Sequence, residues 1–310
     1  MAEKLLALKI DVDTYRGTLR GVPRLVELLR QYQAGATFLF SLGPDHTGRA
    51  IKRAFRPGFM KKVSRTSVVS HYGLKTLMYG TVLPGPDIGR ACKDIIRSVR
   101  DAGFETGVHC WDHIRWQDGV EHADMAWTER DMKRAHDRYT DIFKEAPGVH
   151  GAAGWQMNAH AVRLTQRLGY RYSSDTRGTH PFMPVINGEI TLCPQIPGTL
   201  PTLDELIGID GVTEENAHAG LLEMTREVPA HGHVFTLHAE LEGMKLSNVL
   251  EKLLAGWQEQ GYRIVAMRDI VDTLNTAALP HHEVVRGTVP GRSGTLMVQG
   301  PEYLGKLLAA

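Results

Sequence analysis

The sequence predicts an α/β protein, in which a parallel sheet or barrel of βα units carries a long basic insertion. Short apolar runs alternate with amphipathic helical patterns along most of the 310 residues. Several helical patterns end in a glycine, as at Gly103, Gly169 and Gly261. Such alternation is typical of parallel sheets, in which functional residues collect at the carboxyl ends of the strands.

The predicted strands are short apolar runs between turn residues, at 5–10, 36–42, 105–109, 170–173, 190–193, 233–237 and 262–266. The predicted helices have apolar residues three or four apart, near 22–33, 87–102, 128–144, 159–168, 214–227, 246–260 and 268–275. We therefore expect the barrel to occupy residues 2–275. Residues 276–310 form a tail to which the sequence pattern assigns no role.

Composition excludes several classes of protein. The chain is 42% apolar and 23% charged with a net charge of +1, which is ordinary for a globular protein and gives no reason to expect nucleic-acid binding. Its three cysteines are odd in number and form no CxxC pair, so a disulfide framework is not expected. The N-terminus is too short and too charged for a signal-peptide core, and no uncharged stretch is long enough to span a bilayer. These features predict a cytoplasmic protein.

The segment 43–86 is far longer than the roughly 2–6 residues usual between a strand and its helix. From His46 to Pro86 it contains no acidic residue. Its basic residues are Arg49, Lys52, Arg53, Arg56, Lys61, Lys62, Arg65 and Lys75, and an apolar stripe recurs every four residues at Ile51, Phe55, Phe59 and Val63.

Two interpretations of this insertion stay open. It is either a solvated helical insertion packed on the core, or an element that lies on an anionic membrane surface. Its length, its single sign of charge and its place beside the predicted site favour the second. The residues expected to contact lipid phosphates are Lys52, Arg53, Arg56, Lys61 and Lys62.

Two short patterns predict a metal site. Asp11 and Asp13 end the first apolar run, and His109 and His113 follow a later one. An i, i+4 pair on a helical turn would point both imidazoles the same way, so that one cation could bind both. Each part is weak alone, because an Asp at a strand end often caps a helix and the chain has 15 histidines. Together they predict an Asp–His–His site with one carboxylate left over as a base, for which Asp11 is the candidate.

Other polar residues also follow predicted strands. His238 ends an apolar run and is either a buried histidine or a general acid. Asp175 is either a turn residue or the carboxylate that orients His238. Trp155, Gln156 and Asn158 follow a run of glycines and alanines, where an indole and amides would suit a sugar, although local packing is an equal alternative.

Three segments are similar to motifs of the polysaccharide deacetylase family, which has the NodB-type distorted (β/α) barrel. They are residues 9–13, 107–113 and 236–238, in the family's order, and the resemblance covers roughly residues 2–275. It implies that Asp11 is the base and His238 the acid. It also implies that Asp13, His109 and His113 bind one divalent metal ion, for which zinc, cobalt, manganese and nickel are all candidates.

The sequence departs from the family pattern in two ways. Many members have adjacent aspartates, whereas this chain has Asp11-x-Asp13. The arginine that tunes the catalytic aspartate has no counterpart around residues 150–155, so the group that tunes Asp11 is left open.

The segment 151–158 and the insertion extend the resemblance to one branch of the family. It implies deformylation of an undecaprenyl-phosphate-linked 4-deoxy-4-formamido-L-arabinose by an enzyme at the cytoplasmic face of the inner membrane. That reaction belongs to lipid A modification and resistance to polymyxin and cationic peptides. The alternatives are a de-N-acetylase of a soluble glycan, a cyclic-amide hydrolase and an inactive metal-binding protein.

Overall fold

The structure, a computed structural model, describes residues 3–50 and 75–304. The basic residues expected at a membrane surface lie outside the described residues; they are Lys52, Arg53, Arg56, Lys61 and Lys62. Within the described ranges, no helix is long and apolar enough to cross a membrane.

The strands form two sheets. In chain order they are β1 (Leu5–Val12), β2 (Thr37–Ser41), β3 (Glu105–Cys110), β4 (Val149–His150), β5 (Tyr172–Ser173), β6 (Met183–Ile186), β7 (Glu189–Ile190), β8 (His233–His238), β9 (Arg263–Val265), β10 (His281–Gly287) and β11 (Leu296–Glu302). The main sheet has the order β5-β4-β3-β2-β1-β8, with β9 also paired to β1, and all its pairings are parallel. This arrangement confirms the predicted α/β fold with its barrel-like parallel sheet.

Helices surround this sheet. They are α1 (Val22–Gln31), α2 (Ile88–Ala91), α3 (Lys93–Asp101), α4 (His113–Gly119), α5 (Met125–Phe143), α6 (Ala159–Arg167), α7 (Leu203–Leu206), α8 (Ala217–Met224), α9 (Ser247–Glu259) and α10 (Met267–Val271). The longer helices begin and end within a few residues of the predicted bounds. The short helix α4 was not predicted; Asp112 caps it by accepting a hydrogen bond from the Arg115 backbone N–H.

The central strand β1 is buried along its whole length, and its two faces differ. Leu6, Leu8 and Ile10 belong to the large core beneath the helices. The alternate residues Leu5 and Ala7 belong to a smaller cluster on the other face. Because side chains alternate along a strand, Lys9 and Asp11 continue the second face. The sequence thus places a buried cation and a buried carboxylate side by side on one face of the sheet.

The smaller sheet has the order β11-β10-β6-β7, and both strands of the C-terminal tail, β10 and β11, belong to it. Strands β10 and β11 form an antiparallel hairpin, and β10 pairs in parallel with β6. Val284, Leu296 and Met297 are buried, which explains why this segment folds back on the main body. The strand predicted at 190–193 is displaced: Glu189–Ile190 pairs with β6, and Leu192 is exposed.

Candidate metal and catalytic site

Asp13, His109 and His113 converge at the carboxyl ends of the strands. The Nε2 of His109 lies 3.2 Å from Asp13 Oδ1, and the Nε2 of His113 lies 3.3 Å from Asp13 Oδ2. One possible ligand atom from each residue lies within 4.8 Å of the other two. A carboxylate with two imidazoles is a donor set that divalent first-row metals accept.

The backbone fixes which nitrogen of His109 faces the site. Its Nδ1 lies 2.6 Å from the carbonyl oxygen of Gly151, which can only accept a hydrogen bond. Nδ1 therefore carries a hydrogen, so the neutral ring has its lone pair on Nε2, the nitrogen that faces Asp13. This is the tautomer that a metal ligand needs.

The two histidines do not share a helical turn, as the sequence argument assumed. His109 lies in β3, whereas His113 is the first residue of α4. The chain turns from strand to helix between them, and the rings still stack, with centroids 5.4 Å apart and planes at 22°. Thus i, i+4 spacing brings the rings together here through a strand end and a helix start.

Asp13 is held by a second carboxyl group. Oε1 of Glu240 accepts hydrogen bonds from the backbone N–H groups of Asp13 and Thr14 and from the Thr14 hydroxyl, at 3.1, 2.8 and 2.8 Å. Gly17 makes this possible, because a Cβ there would lie 1.9 Å from Glu240 Oε1. Burial, reinforced by the charge of Asp13, raises the pKa of Glu240.

The electrostatics of Asp13 fit a cation. Burial alone would raise the pKa of Asp13, but His113 and His109 beside it hold that pKa well below its usual range. Within the described part of the chain, its buried Oδ1 has no hydrogen-bond partner. A cation between the carboxylate and the two imidazoles would satisfy that oxygen, so these residues fit the expected metal ion.

Asp11 lies beside this triad and is only 3% exposed. Its Oδ1 is 3.8 Å from His109 Nδ1, and its Oδ2 is 3.7 Å from Lys9 Nζ. A cation beside Asp11 therefore comes from β1 itself, as Lys9. Lys9 is fully buried, and its Nζ donates a hydrogen bond of 2.9 Å to the Ser174 carbonyl oxygen.

Burial lowers the pKa of Lys9, while the neighbouring carboxylate of Asp11 opposes that shift. Sequence analysis missed Lys9 because a single lysine in a strand usually indicates an exposed position. The available signal was its place two residues before Asp11 in an otherwise apolar run.

His238 ends β8, and the register of the sheet sets it directly opposite Asp11. Its backbone N–H donates to Glu242 Oε2 at 2.8 Å, and the backbone N–H of Ala239 donates to the Asp11 carbonyl oxygen. Burial would lower the pKa of His238, but nearby carboxylates, led by Asp204, raise it to about 9. At neutral pH His238 is therefore protonated and can donate a proton.

Asp175 does not orient His238, which was one of the two expectations for it. Its Oδ1 accepts hydrogen bonds from His150 Nδ1 at 2.7 Å and from the Ala152 N–H at 2.8 Å. Its Oδ2 lies 3.3 Å from Gln195 Nε2. Burial would raise the pKa of Asp175, but His150 outweighs it and lowers that pKa. The His150–Asp175 pair thus holds the segment after β4, from which His109 receives its carbonyl partner.

Trp155, Gln156 and Asn158 are used by the fold. Trp155 is 1% exposed, so its rings offer no open face to a sugar. The Gln156 amide bonds to the Thr295 carbonyl oxygen and to Arg286, both in the C-terminal hairpin. The Asn158 side chain caps α6, and its Nδ2 donates to the carbonyl oxygens of Val120 and Ala123 and to the Thr128 hydroxyl. The packing alternative therefore describes these three residues.

Fold and site together describe an α/β protein with a parallel, barrel-like sheet and a candidate metal centre at the strand ends. The sequence profile of the family described as polysaccharide deacetylase matches residues 2–173. The chain belongs to the polysaccharide deacetylase family.

Known proteins extend the match over nearly the whole chain. A probable 4-deoxy-4-formamido-L-arabinose-phosphoundecaprenol deformylase, ArnD, of Shewanella sediminis (strain HAW-EB3) is 36% identical over 95% of this chain and 94% of its own length. A protein of the same description from Wigglesworthia glossinidia brevipalpis is 31% identical over 91% of this chain and 98% of its own. The solved structure of a candidate polysaccharide deacetylase from Mycobacterium smegmatis has a TM-score of 0.60 at 16% identity, covering 93% of this chain and 96% of its own.

Proposed function

We propose that this protein is a metal-dependent amidohydrolase that removes the formyl group from undecaprenyl-phosphate-linked 4-deoxy-4-formamido-L-arabinose. One observation carries the reaction type: Asp11 and His238 are register partners on the adjacent strands β1 and β8, and Asp11 lies 3.8 Å from His109 of the Asp13–His109–His113 triad. The descriptions of the two relatives, which match over almost their full lengths, support the substrate.

The residues of the site divide the chemistry between them. A divalent cation held by Asp13, His109 and His113 would act as a Lewis acid toward the formyl oxygen and the attacking water. Asp11 accepts a proton from that water as its oxygen bonds to the formyl carbon. Lys9, whose Nζ lies 3.7 Å from Asp11 Oδ2, holds Asp11 in place for this step.

His238 completes the reaction. As the C–N bond breaks, its imidazolium donates a proton to the sugar nitrogen, because an amide anion is a very poor leaving group. The products are formate and the 4-amino sugar. A protein that only bound a cation would need neither Asp11 nor His238. The presence of both beside the metal-binding triad therefore supports a catalytic role.

We extend the proposal to the membrane. The substrate's undecaprenyl tail lies in the bilayer and its phosphate lies at the headgroups, so the enzyme would act peripherally at the cytoplasmic face of the inner membrane. The unbroken basic character of the insertion supports this placement; its candidate lipid contacts are Lys52, Arg53, Arg56, Lys61 and Lys62. The product would serve lipid A modification and polymyxin resistance.

The test is incubation of purified protein with formylated and acetylated lipid-linked sugars and with a soluble N-acetylated glycan, with and without chelator. We expect formate release from the formylated lipid alone, loss of activity with chelator, and recovery with zinc, cobalt, manganese or nickel. Acetate release from the soluble glycan would favour the deacetylase alternative. Chelator-resistant deformylation would contradict the metal requirement.

A further inference from the structure

The loop between β10 and β11 places Arg292 against the site. Gly291, the residue before it, has φ +80°, and a Cβ there would lie 2.0 Å from the carbonyl oxygen of Glu205. Only glycine allows the loop to approach α7 this closely. The position of Arg292 is therefore fixed by the backbone.

Arg292 is one of three cations that surround the buried indole of Trp155. Its guanidinium lies 4.8 Å from the ring centroid, and Lys9 Nζ and the Arg177 guanidinium lie at 4.9 and 5.0 Å. Lys9 faces Asp11, as described above. The acidic side chains beside each cation determine how far its charge is neutralised, and therefore which cation can bind an anionic ligand.

Arg177 and Arg292 share one carboxylate unequally. Nη1 of Arg177 lies 2.9 Å from both oxygens of Glu205. Arg292 reaches Glu205 Oε1 only at 3.5 Å and the Gly154 carbonyl oxygen at 3.5 Å, and its side chain is 17% exposed. Two cations beside one carboxylate leave a positive excess, and that excess is located on the more exposed Arg292.

Two packing relations place Arg292 among the residues that flank the site. At Gly154, φ is +61°, and an added Cβ would meet Gln117 Nε2 at 2.2 Å and Arg292 Nη2 at 3.2 Å. The missing side chain thus lets these groups approach one another. Gln117 lies one turn after His113 on α4, so Arg292 and the helix that begins with His113 both flank Gly154.

The second relation connects Arg292, through α7, with the candidate acid His238. Glu205, which Arg292 touches, is adjacent in α7 to Asp204, the carboxylate with the strongest charge effect on His238. Arg292 thus contacts α7 on one side, and on the other it shares the Trp155 indole with Lys9, whose Nζ lies 3.7 Å from Asp11. A substrate whose amide is at the metal site would place another of its groups beside Arg292.

We propose that Arg292 binds the phosphate group of the lipid-linked sugar, an inference that rests on the proposed function. The sugar ring separates the formamido group from the phosphate, so a cation that flanks the site without touching the metal ligands is suitably placed. A guanidinium presents a planar fork of donors that matches two phosphate oxygens. At a partly buried site it binds a phosphate more strongly than a lysine ammonium does. The fixed loop orders this fork before the substrate binds.

The test compares Arg292→Ala and Arg292→Lys with Arg286→Ala, a control in the same hairpin whose partners are Gln156, Met157 and Glu121. The substrates are the lipid-linked formamido sugar and its methyl glycoside, which lacks the phosphate. We expect Arg292→Ala to raise KM for the lipid-linked sugar about 10- to 100-fold and to leave the methyl glycoside unchanged. Arg292→Lys should fall between, and Arg286→Ala should resemble wild type.

Binding of a short-chain prenyl phosphate, measured by calorimetry, keeps this test independent of turnover. If wild-type protein deformylates neither sugar, the proposed function fails, while a weaker Kd for the prenyl phosphate in Arg292→Ala still supports the phosphate site. Equal Kd values in Arg292→Ala and wild type would overturn the inference. It would also be overturned if Arg292→Ala impaired both sugars equally, or weakened binding to phosphatidylglycerol vesicles without substrate by the same factor as KM.

Discussion

Lys9 is a fully buried cation, and the candidate base Asp11 lies within 3.7 Å of its ammonium group. The lysine ammonium group attracts this carboxylate and helps to hold it in place beside the metal ligands. Removing the lysine while filling its volume should therefore damage the base and spare the metal ligands. Lys9→Met is expected to lower kcat about 100-fold with unchanged metal content, measured by formate release and metal analysis.

Two further variants decide whether Lys9 acts through its charge. Lys9→Arg should recover much of kcat, because a guanidinium can also pair with Asp11. Lys4→Met removes an exposed lysine just before β1, which donates to the Gln260 carbonyl oxygen, and should have wild-type activity. Wild-type kcat in Lys9→Met, or loss of its metal, would refute the positioning role.

His238 sets the expected pH dependence of turnover. Its pKa is raised to about 9, so the proton-donating form is present below that pH and is lost as pH rises through it. A cation bound at Asp13 repels the imidazolium, so the alkaline limb of kcat should lie below pH 9 in the loaded enzyme. Glu242→Gln keeps an acceptor for the His238 N–H but removes a nearby carboxylate. It should shift the limb to lower pH.

The matching control removes the acid itself. His238→Ala should lower kcat by about 10²- to 10⁴-fold and retain metal. An alkaline limb at the same pH in Glu242→Gln and wild type would show that another group controls it. Full deformylation by His238→Ala would exclude His238 as the acid.

At the scale of elements, Glu240 joins the ends of β1 and β8. It follows β8, yet it accepts three hydrogen bonds from Asp13 and Thr14, which follow β1. Because its pKa is raised, its carboxyl resembles an amide at neutral pH. Glu240→Gln should therefore keep stability and metal affinity near wild type. Glu240→Ala leaves buried donors unpaired and should cost roughly 2–4 kcal/mol of unfolding free energy.

Urea unfolding and metal titration check this difference. Glu240→Ala should also weaken metal affinity about 10- to 100-fold, since Asp13 loses its support. If Gln and Ala were equally damaging, the negative charge of Glu240 would be the required feature. If neither variant changed the unfolding free energy or the metal affinity, the hydrogen bonds of Glu240 between the strand ends would not stabilise the site.

Elements also show what the sequence could reveal. Strands β1, β2, β3 and β8 were predicted because long apolar runs mark buried parallel strands. Parallel strands end at one edge of the sheet, so the sequence predicted that four residues lie close together, namely Asp11, Asp13, His109 and His238. Strand β4 was missed, because two residues give no periodicity.

Contacts between distant segments could not be predicted at all. Nothing local to Arg292 indicates that a hairpin returns it to Trp155, far earlier in the chain. The sequence suggested His238 as the partner of Asp175, whereas the structure pairs Asp175 with His150. Lys9 needed the burial of β1 to distinguish it from an ordinary surface lysine. Pairing partners are decided by the folded geometry.

At the scale of the whole molecule, the net charge is only +1, although the insertion is strongly basic. Charge reversal to Glu at Lys52, Arg53, Lys61 and Lys62 should weaken partition onto anionic liposomes more than 100-fold, at about 1 kcal/mol for each residue near the surface. Metal content should not change, because the ligands lie elsewhere. Cosedimentation with liposomes of graded phosphatidylglycerol content measures the effect. Unchanged partition would contradict the membrane-surface interpretation.

Stability should depend on pH through Asp131, a buried acid of α5. Within the residues described, neither of its oxygens has a hydrogen-bond partner, and Arg115 Nη1 lies 3.5 Å away. Burial raises its pKa from 3.8 to about 6. Between these values the folded state binds more protons than the unfolded state, so the unfolding free energy should fall as pH rises, by about 3 kcal/mol.

Asp131→Asn removes this titration and should therefore be more stable than wild type at pH 7 but similar at pH 4. Asp137→Asn on the same helix is the matched control. Asp137 is exposed and paired with Lys133 at 2.8 Å, and losing such a pair changes stability by about 0.5 kcal/mol. Urea unfolding at both pH values measures the differences. Equal pH dependence in Asp131→Asn and wild type would assign the effect to other groups, because a side chain that cannot ionise contributes no slope.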